Sequence, residues 1–402
     1  MIWEYEKLSS LNKKIAFPAL FVDLNIVDQN IENYTSYAIR YSKTLRLATK
    51  SIRNIWLIKY ILKRSNVFEG VMCYSVHEAQ HLFDNGIDDL LIAYPQIDFD
   101  SLAGLLDLAK KGANFSMACD HSEQLSIIDK YWNEFAGDLP PFPLCLDLDV
   151  SLRPLPFVHI GALRSSIVDI AGLKACIEKV NSLNNLKIKG ILTYEAQIAS
   201  LQDQSPFTVL LNPIKKLIKS WAIKDVKKKR EEITKYLKVS GIQYDYYNGG
   251  GSGSLPYTSK EPWISEVTVG SGLLESHIFD YISDNKNRPA IVFGLNITRR
   301  PKKGVVTCQS GGFIASGEMG KDKFPLPYRP VGMKYIPMEM AGEVQTPLSG
   351  PWADKLSVGD PVFFRPSKAG EIAERFNLYH FLRDGEVESS ASTYRGDGKA
   401  FY

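Results

Sequence analysis

Cysteine is sparse in this chain. Five residues, Cys73, Cys119, Cys145, Cys176 and Cys308, are scattered through 402 positions. Their number is odd and no pair has CxxC spacing, which excludes a zinc ribbon and a disulfide framework and fits a reducing cytoplasm. Charge excess is missing too: 48 Lys and Arg against 45 Asp and Glu leave +3, which implies no polyanionic partner such as nucleic acid. No window reaches the ~18 consecutive apolar residues of a membrane span. The opening MIWEYEKLSSLNKK mixes both charge signs without an apolar run, so it is not expected to act as a signal peptide. What remains is an ordinary soluble composition, 45% hydrophobic and 23% charged, in a chain too long for one small core, so two domains are expected.

Short apolar runs alternate with helical patterns over most of the length. After a lone early run, PALFVDL at 18–24, eight follow: TLRLATK, GVMCYS, DLLIAYP, NFSMACD, LCLDLDV, IKGILTYE, IQYDYYNGG and EVTVGSG. Between them lie amphipathic segments such as SIVDIAGLKACIEKV, with Ile167, Ile170, Ala171, Ile177 and Val180 near helical spacing. Strands alternating with helices pair in parallel, and eight of them predict a closed (β/α)8, TIM-like barrel over residues 17–286. From Asn287 helical periodicity fades, and Pro and Gly punctuate runs such as AIVFGLNITR and GDPVFFRP. Residues 287–402 therefore read as a smaller, mostly β domain. Residues 1–16 are open to joining it, and PALFVDL is a candidate partner strand for it.

The stretch NGGGSGS, Asn248–Ser254, is a flexible linker or a backbone cradle for a phosphate. It falls after the seventh run, inside the barrel, where a domain linker is out of place and where chemistry gathers. It matches neither a P-loop nor GxGxxG, because Ser254 stands at the third glycine position. Strand parity adds a partner. In TLRLATK, Leu45, Leu47 and Thr49 face one way, while Arg46, Ala48 and Lys50 face into the barrel. A lysine ending a strand is most often a solvated rim charge. Beside a phosphate cradle, a desolvated amine is instead suited to a Schiff base, and pyridoxal phosphate carries both an aldehyde and a phosphate.

With these elements in order, the sequence resembles the third fold type of pyridoxal phosphate enzymes, an alanine racemase-like barrel followed by a β domain. The branch it is most similar to is that of D-threonine aldolase and D-serine dehydratase. LRLATKS resembles the family's lysine motif, with Leu47 and Ala48 in place of Pro and His, which places the Schiff-base lysine at Lys50. GALRSSI resembles the GxxR element, so Arg164 is implied to face the cofactor's phenolic oxygen, and LTYEAQI resembles the tyrosine segment around Tyr194. NGGGSGS and EVTVGSG resemble the two phosphate-binding turns, carried here by Gly251, Ser252, Gly253, Gly270 and Ser271. Two departures stand out. VTVG puts Thr268 where alanine racemases set an arginine against the pyridine nitrogen. A neutral partner there suits elimination or retro-aldol cleavage. The aldolase and dehydratase branch binds a divalent ion through His-x-Cys or His-x-Asp, whereas the similar segment here reads Pro366-Ser367-Lys368. No metal is therefore expected, and the Lys368 ammonium is a candidate for the vacant place, against the bland alternative of a surface charge.

Other candidates weigh less. Asp147 and Asp149 share an inward face with Cys145; they read as a polar inner layer bonded to neighbouring strands, Arg46 included, in preference to a Mg²⁺ site. His121 and His159 read as capping or structural groups. The basic run KKLIKSWAIKDVKKKREEITKYLK reads as a solvated outer helix, and EVQTP and TYRGDGK as turns. The resemblance implies a lyase acting on a small amino acid, D in preference to L. An amino acid racemase is the alternative, and a pyridoxal phosphate carrier without turnover the second. It further implies a cytoplasmic homodimer in which the β domain closes the partner's active site.

Overall fold

A computed structural model describes residues 3–155 and 157–401. Within them β1 is Ala19–Asp23, β2 Thr44–Ala48, β3 Phe68–Cys73, β4 Leu90–Ile92, β5 Phe115–Cys119 and β6 Phe142–Asp147. A hairpin of β7 (Leu152–Leu155) and β8 (Val158–Ile160) follows, then β9 (Leu186–Thr193), β10 (Tyr246–Gly249) and β11 (Glu266–Val269). The eight expected runs are β2–β6 and β9–β11, and they close into one barrel in the order β10-β11-β2-β3-β4-β5-β6-β9. All eight pairings are parallel, as connecting helices on the outside require.

Period-two alternation sorts the side chains. Leu91, Ala118, Cys145 and Leu192, with Met72 and Tyr246, form a separate cluster inside the barrel, while the opposite faces join the main core under the helices. Arg46 lies over the Tyr246 ring at 5.4 Å, so the interior is filled and not a pore. Several connecting helices start on side-chain caps: Ser75, Asp98 and Asp169 accept from the amides of Glu78, Ser101 and Gly172. The helix Ile170–Asn181 buries Leu173, Cys176, Ile177 and Val180. Ile177 and Val180 lie on the buried face as expected and Ile170 packs against it, while Ile167 is buried just ahead of the helix and Ala171 alone is exposed. The basic run lies within the helix Asn212–Val239 on the outside of the barrel, yet its Arg230 is fully buried.

After the barrel come β12 (Ile291–Lys302), β13 (Val305–Gln309), β14 (Leu326–Arg329), β15 (Lys334–Tyr335), β16 (Gln345–Ser349), β17 (Pro361–Arg365), β18 (Leu378–Arg383) and β19 (Glu386–Ser392). Together with β1 they make a nine-stranded sheet. PALFVDL pairs there as expected, antiparallel to β12 and parallel to β18. Phe21, Phe293, Phe363, Phe364 and Phe381 are fully buried in this sheet, which supplies the apolar area a second core requires. EVQTP is corrected from a turn to the start of β16, because its backbone pairs with β13 from Gln309↔Gln345 onward. TYRGDGK does turn.

Candidate active site

Lys50 follows β2 in a one-turn helix, Thr49–Ser51, and its side chain is exposed at the barrel mouth. Its Nζ lies 3.0 Å from the Tyr94 hydroxyl. The Arg164 guanidinium sits 5.9 Å from the centroids of both Tyr94 and Tyr194, so two tyrosines and two cations from four different connections meet. Burial alone would push the Tyr94 phenol up; the neighbouring Lys50 and Arg164 charges outweigh it and bring the group below its ordinary 10.0. Tyr194 also faces Ser200, with 3.2 Å between hydroxyls.

The two glycine–serine turns, after β10 and β11, stand side by side. Ser252 Oγ accepts from the amides of Gly270 and Gly272, each at 3.1 Å. Ser271 Oγ lies 2.8 Å from Ser51 Oγ, which ties the second turn to the lysine turn. A Cβ at Gly253 would run into the Ala199 carbonyl, one at Gly272 into the Tyr34 hydroxyl, and one at Gly270 would sit 2.9 Å from Ala48 Cβ. Only bare backbone fits so close an approach. Among the described residues no protein acceptor takes the amides of Ser252 and Gly253. Free N–H groups and serine hydroxyls in a side-chain-free concavity suit a phosphate group, so NGGGSGS is not a linker here. It is folded backbone with buried ends.

Buried charge holds these turns from behind. Glu195, directly after Tyr194, accepts from the Gly250 amide at 3.0 Å and from Thr258, and pairs with Arg230. Arg230 also pairs with Glu261 at 2.8 Å and donates to the Thr193 carbonyl. Burial pushes the Glu195 carboxyl up, but Arg230 and the Thr258 hydroxyl more than offset it and hold it low. A second chain runs under the mouth. Thr268 Oγ1 lies 2.8 Å from Asn248 Nδ2, which donates to Glu266 at 2.6 Å; Glu266 pairs with Arg46 at 2.7 Å, and Arg46 with Asp89 at 3.1 Å.

Asp147 and Asp149 part company. Cys145 is inside the barrel as expected. Asp147 is partly buried beside Asp120 and Arg164, and burial, helped by Asp120 and opposed by Arg164, pushes it up to about 7. Asp149 lies beyond β6, where it accepts from the Ser151 amide at 2.6 Å and pairs with Arg153. Neither bonds Arg46, whose carboxylates are Glu266 and Asp89; the inner layer expected across these strands forms with other partners. His121 caps the helix Ser122–Phe135 through Nδ1, and His159 Nε2 stands 4.0 Å from Asp149.

Lys368 precedes the short helix Ala369–Ala373, which packs on the lysine turn: a Cβ at Gly370 would collide with the Lys50 carbonyl. The ammonium is 2.8 Å from Glu371 and 2.9 Å from Ser316 Oγ. It is thus paired with a carboxylate and a hydroxyl. Among the described residues no group of three or more His, Cys, Asp or Glu could hold a metal ion, and Pro366-Ser367-Lys368 has no strong donor for one. The residues present do not fit a divalent site.

Sequence reasoning missed Tyr94, Glu195 and Ser51. Tyr94 lies two residues past the end of β4, where strand parity no longer assigns a face. Glu195 adjoins the singled-out Tyr194, but its partner Arg230 is 35 residues away and was hidden in a basic run.

No protein-family model matches the chain. It is 21% identical over 384 residues to 3-hydroxy-D-aspartate aldolase of Paracoccus denitrificans, covering 94% of this chain and 91% of the relative. The D-threonine aldolase structure from Filomicrobium marinum superimposes with a TM-score of 0.80 at 18% identity, over 95% of this chain and 96% of that one. The D-threo-3-hydroxyaspartate dehydratase from Delftia sp. HT23 gives 0.75 at 16%, over 95% and 98%. Relatives and structural neighbours alike are thus aldolases, dehydratases and alanine racemase-like proteins, the third fold type of pyridoxal phosphate enzymes that the sequence resembles.

Proposed function

We propose that this chain is a pyridoxal phosphate-dependent lyase acting on a small D-β-hydroxy amino acid by retro-aldol cleavage or β-elimination. The observation that carries the reading is the meeting of the lysine turn with both glycine–serine turns at one barrel mouth, joined by the Ser51–Ser271 contact of 2.8 Å. In this reading Lys50 anchors the aldehyde carbon of the cofactor. The turns at 251–253 and 270–271 receive its phosphate, Arg164 its phenolic oxygen and Thr268 its ring nitrogen, with Tyr194 alongside. When bound, the cofactor supplies an electron sink for carbanion character at Cα. Lys50, released by substrate, takes or returns a proton at Cα, and Lys368 donates a proton toward a leaving hydroxyl, with Glu371 setting its orientation. No metal enters this reading.

Racemisation is the second reading; the activities named for the relatives favour bond cleavage. A carrier without turnover fits poorly with a nine-stranded sheet whose β17–β18 connection packs against the lysine turn. In this reading the cofactor-binding unit spans 17–286 and the β-rich unit 287–402, with β1 contributing to the latter's sheet. The family resemblance supports a homodimer, and Phe157, Leu163 and Leu210, exposed at 84%, 77% and 92%, are apolar surface available to it. Five buried, unpaired cysteines support a reducing, cytoplasmic setting. No described helix is long and apolar enough to cross a membrane.

Borohydride treatment of the yellow holoprotein, followed by peptide mapping, should fix the cofactor mass on Lys50. Labelling of a different lysine, or absence of the coenzyme, sinks the proposal. A panel of D- and L-β-hydroxy amino acids assayed for aldehyde, keto acid and ammonia then separates aldolase from dehydratase and racemase.

A further inference from the structure

We infer that Tyr94 is the acid–base partner of Lys50, its phenol oxygen taking the proton that the Lys50 ammonium must lose and later returning it. Among the described residues Tyr94 is the sole hydrogen-bond partner of Lys50 Nζ, at 3.0 Å. The contact does not arise from strand geometry, since β2 and β4 are separated by β3 in the barrel. It is made by two loops that extend past the strand ends to the same point. The inference rests on the assignment of Lys50 as the imine-forming lysine.

An amine of ordinary pKa ~10.4 is free in only about one molecule in 2,500 at neutral pH, so a lysine that adds to an aldehyde requires a way to shed its proton. An ordinary phenol titrates at ~10, close enough to the amine for transfer across one hydrogen bond to be nearly balanced. The balance is then set by the charged groups facing Tyr94. Lys50 and Arg164 favour the phenolate, while burial and Asp147 oppose it. The guanidinium near the Tyr94 ring stays charged throughout, so it favours the phenolate before the transfer and again once the proton has passed on. In the transfer, one N–H bond of the ammonium breaks and one O–H bond forms on Tyr94. The amine lone pair then adds to the aldehyde carbon, whose oxygen departs as water. No further reactant is required.

Two measurements test this, and the first does not depend on the cofactor. In cofactor-free protein, near-ultraviolet titration should show one tyrosine ionising ahead of the others. That step should vanish in Tyr94→Phe and move to higher pH in Lys50→Met. In the second, borohydride trapping of Lys50 is followed against pH with pyridoxal phosphate and with an aromatic aldehyde lacking the phosphate. Tyr94→Phe should raise the pH midpoint by about one unit, a roughly tenfold slower trapping at neutral pH, with circular dichroism and melting unchanged. A merely structural tyrosine would lower the rate equally at every pH. An unmoved midpoint, or a tyrosine step indifferent to Lys50→Met, overturns the inference. Should the aldehyde trap Lys50 with the predicted shift while pyridoxal phosphate fails to bind, the cofactor assignment falls and the Lys50–Tyr94 pair stands.

Discussion

Arg230 and Arg164 belong to the same barrel and are the same residue type, yet they do opposite work. Arg230 is fully buried behind the glycine turns with Glu195 and Glu261 paired to it. Arg164 is exposed at the mouth, near two tyrosine rings and Asp147, and makes no ion pair among the described residues. Arg46 and Lys50 repeat the contrast within one strand and its end: the first is locked between Glu266 and Asp89, while among the described residues the ammonium of the second bonds only a phenol. Charge that is fully satisfied fixes shape, and charge left unsatisfied at a concave surface is free to meet a ligand. The comparison teaches that the mouth's chemistry depends on which cations the fold declines to neutralise.

The largest effect should come from breaking the buried side. Arg230→Met leaves two buried carboxylates without their cation, a loss expected to cost about 3–5 kcal/mol, a large part of the ~5–15 kcal/mol that holds a typical domain. Arg164→Met should stay within about 0.5 kcal/mol. Urea midpoints of the two variants check this directly. Equal costs would erase the distinction between the two arginines.

That contrast also explains what was legible beforehand. The eight barrel strands and the early strand pairing with the β sheet could be read because alternation and run length are local properties, as in TLRLATK and PALFVDL. The places of Lys50 and Ser252 at the mouth could be read because a strand end and a glycine cluster mark them, with the family resemblance beside them, whereas Thr268 was marked by that resemblance alone. Glu195–Arg230 and Lys50–Tyr94 could not, since each joins segments far apart in the chain through side-chain reach, which no periodicity encodes. The Asp147–Arg46 contact failed for the same reason: parity says which face a residue takes, not which neighbour on that face it bonds. Glu371 lies three residues from Lys368 and was legible in principle as a helical-spacing pair, but the short helix it needs has no strong periodic pattern.

The next effect sharpens the ligand side. Ser252→Asp sets a carboxylate between the two glycine turns, where the proposed phosphate would sit. Repulsion at partly shielded distances is on the order of 1–4 kcal/mol, so affinity for pyridoxal phosphate should fall at least tenfold. Fluorescence titration against the wild type measures it. The amides of Gly270 and Gly272 still find an acceptor in the new carboxylate, so the fold should persist, which circular dichroism checks. Unchanged affinity would remove the phosphate from these turns.

The smallest effect lies between the two classes, at Asp147. This carboxyl is partly buried like the structural groups but accepts no side-chain hydrogen bond among the described residues. Burial and Asp120 raise it from the ordinary 3.8 to about 7, against the pull of Arg164. A folded value above the unfolded one means that between those limits the native state holds a proton that the unfolded chain has lost. Stability contributed by this group is therefore greatest below pH 3.8 and declines as pH rises toward 7. Solvent at the mouth screens the effect, which should amount to on the order of 1 kcal/mol. Asp147→Asn keeps the shape and removes the titration, so its unfolding free energy should fall less steeply over that interval and exceed the wild type's at pH 8. Parallel curves for the two proteins would mean that Asp147 ionises freely at the mouth and belongs with the ligand-facing charges, shifting the boundary that separates Arg164 from Arg230.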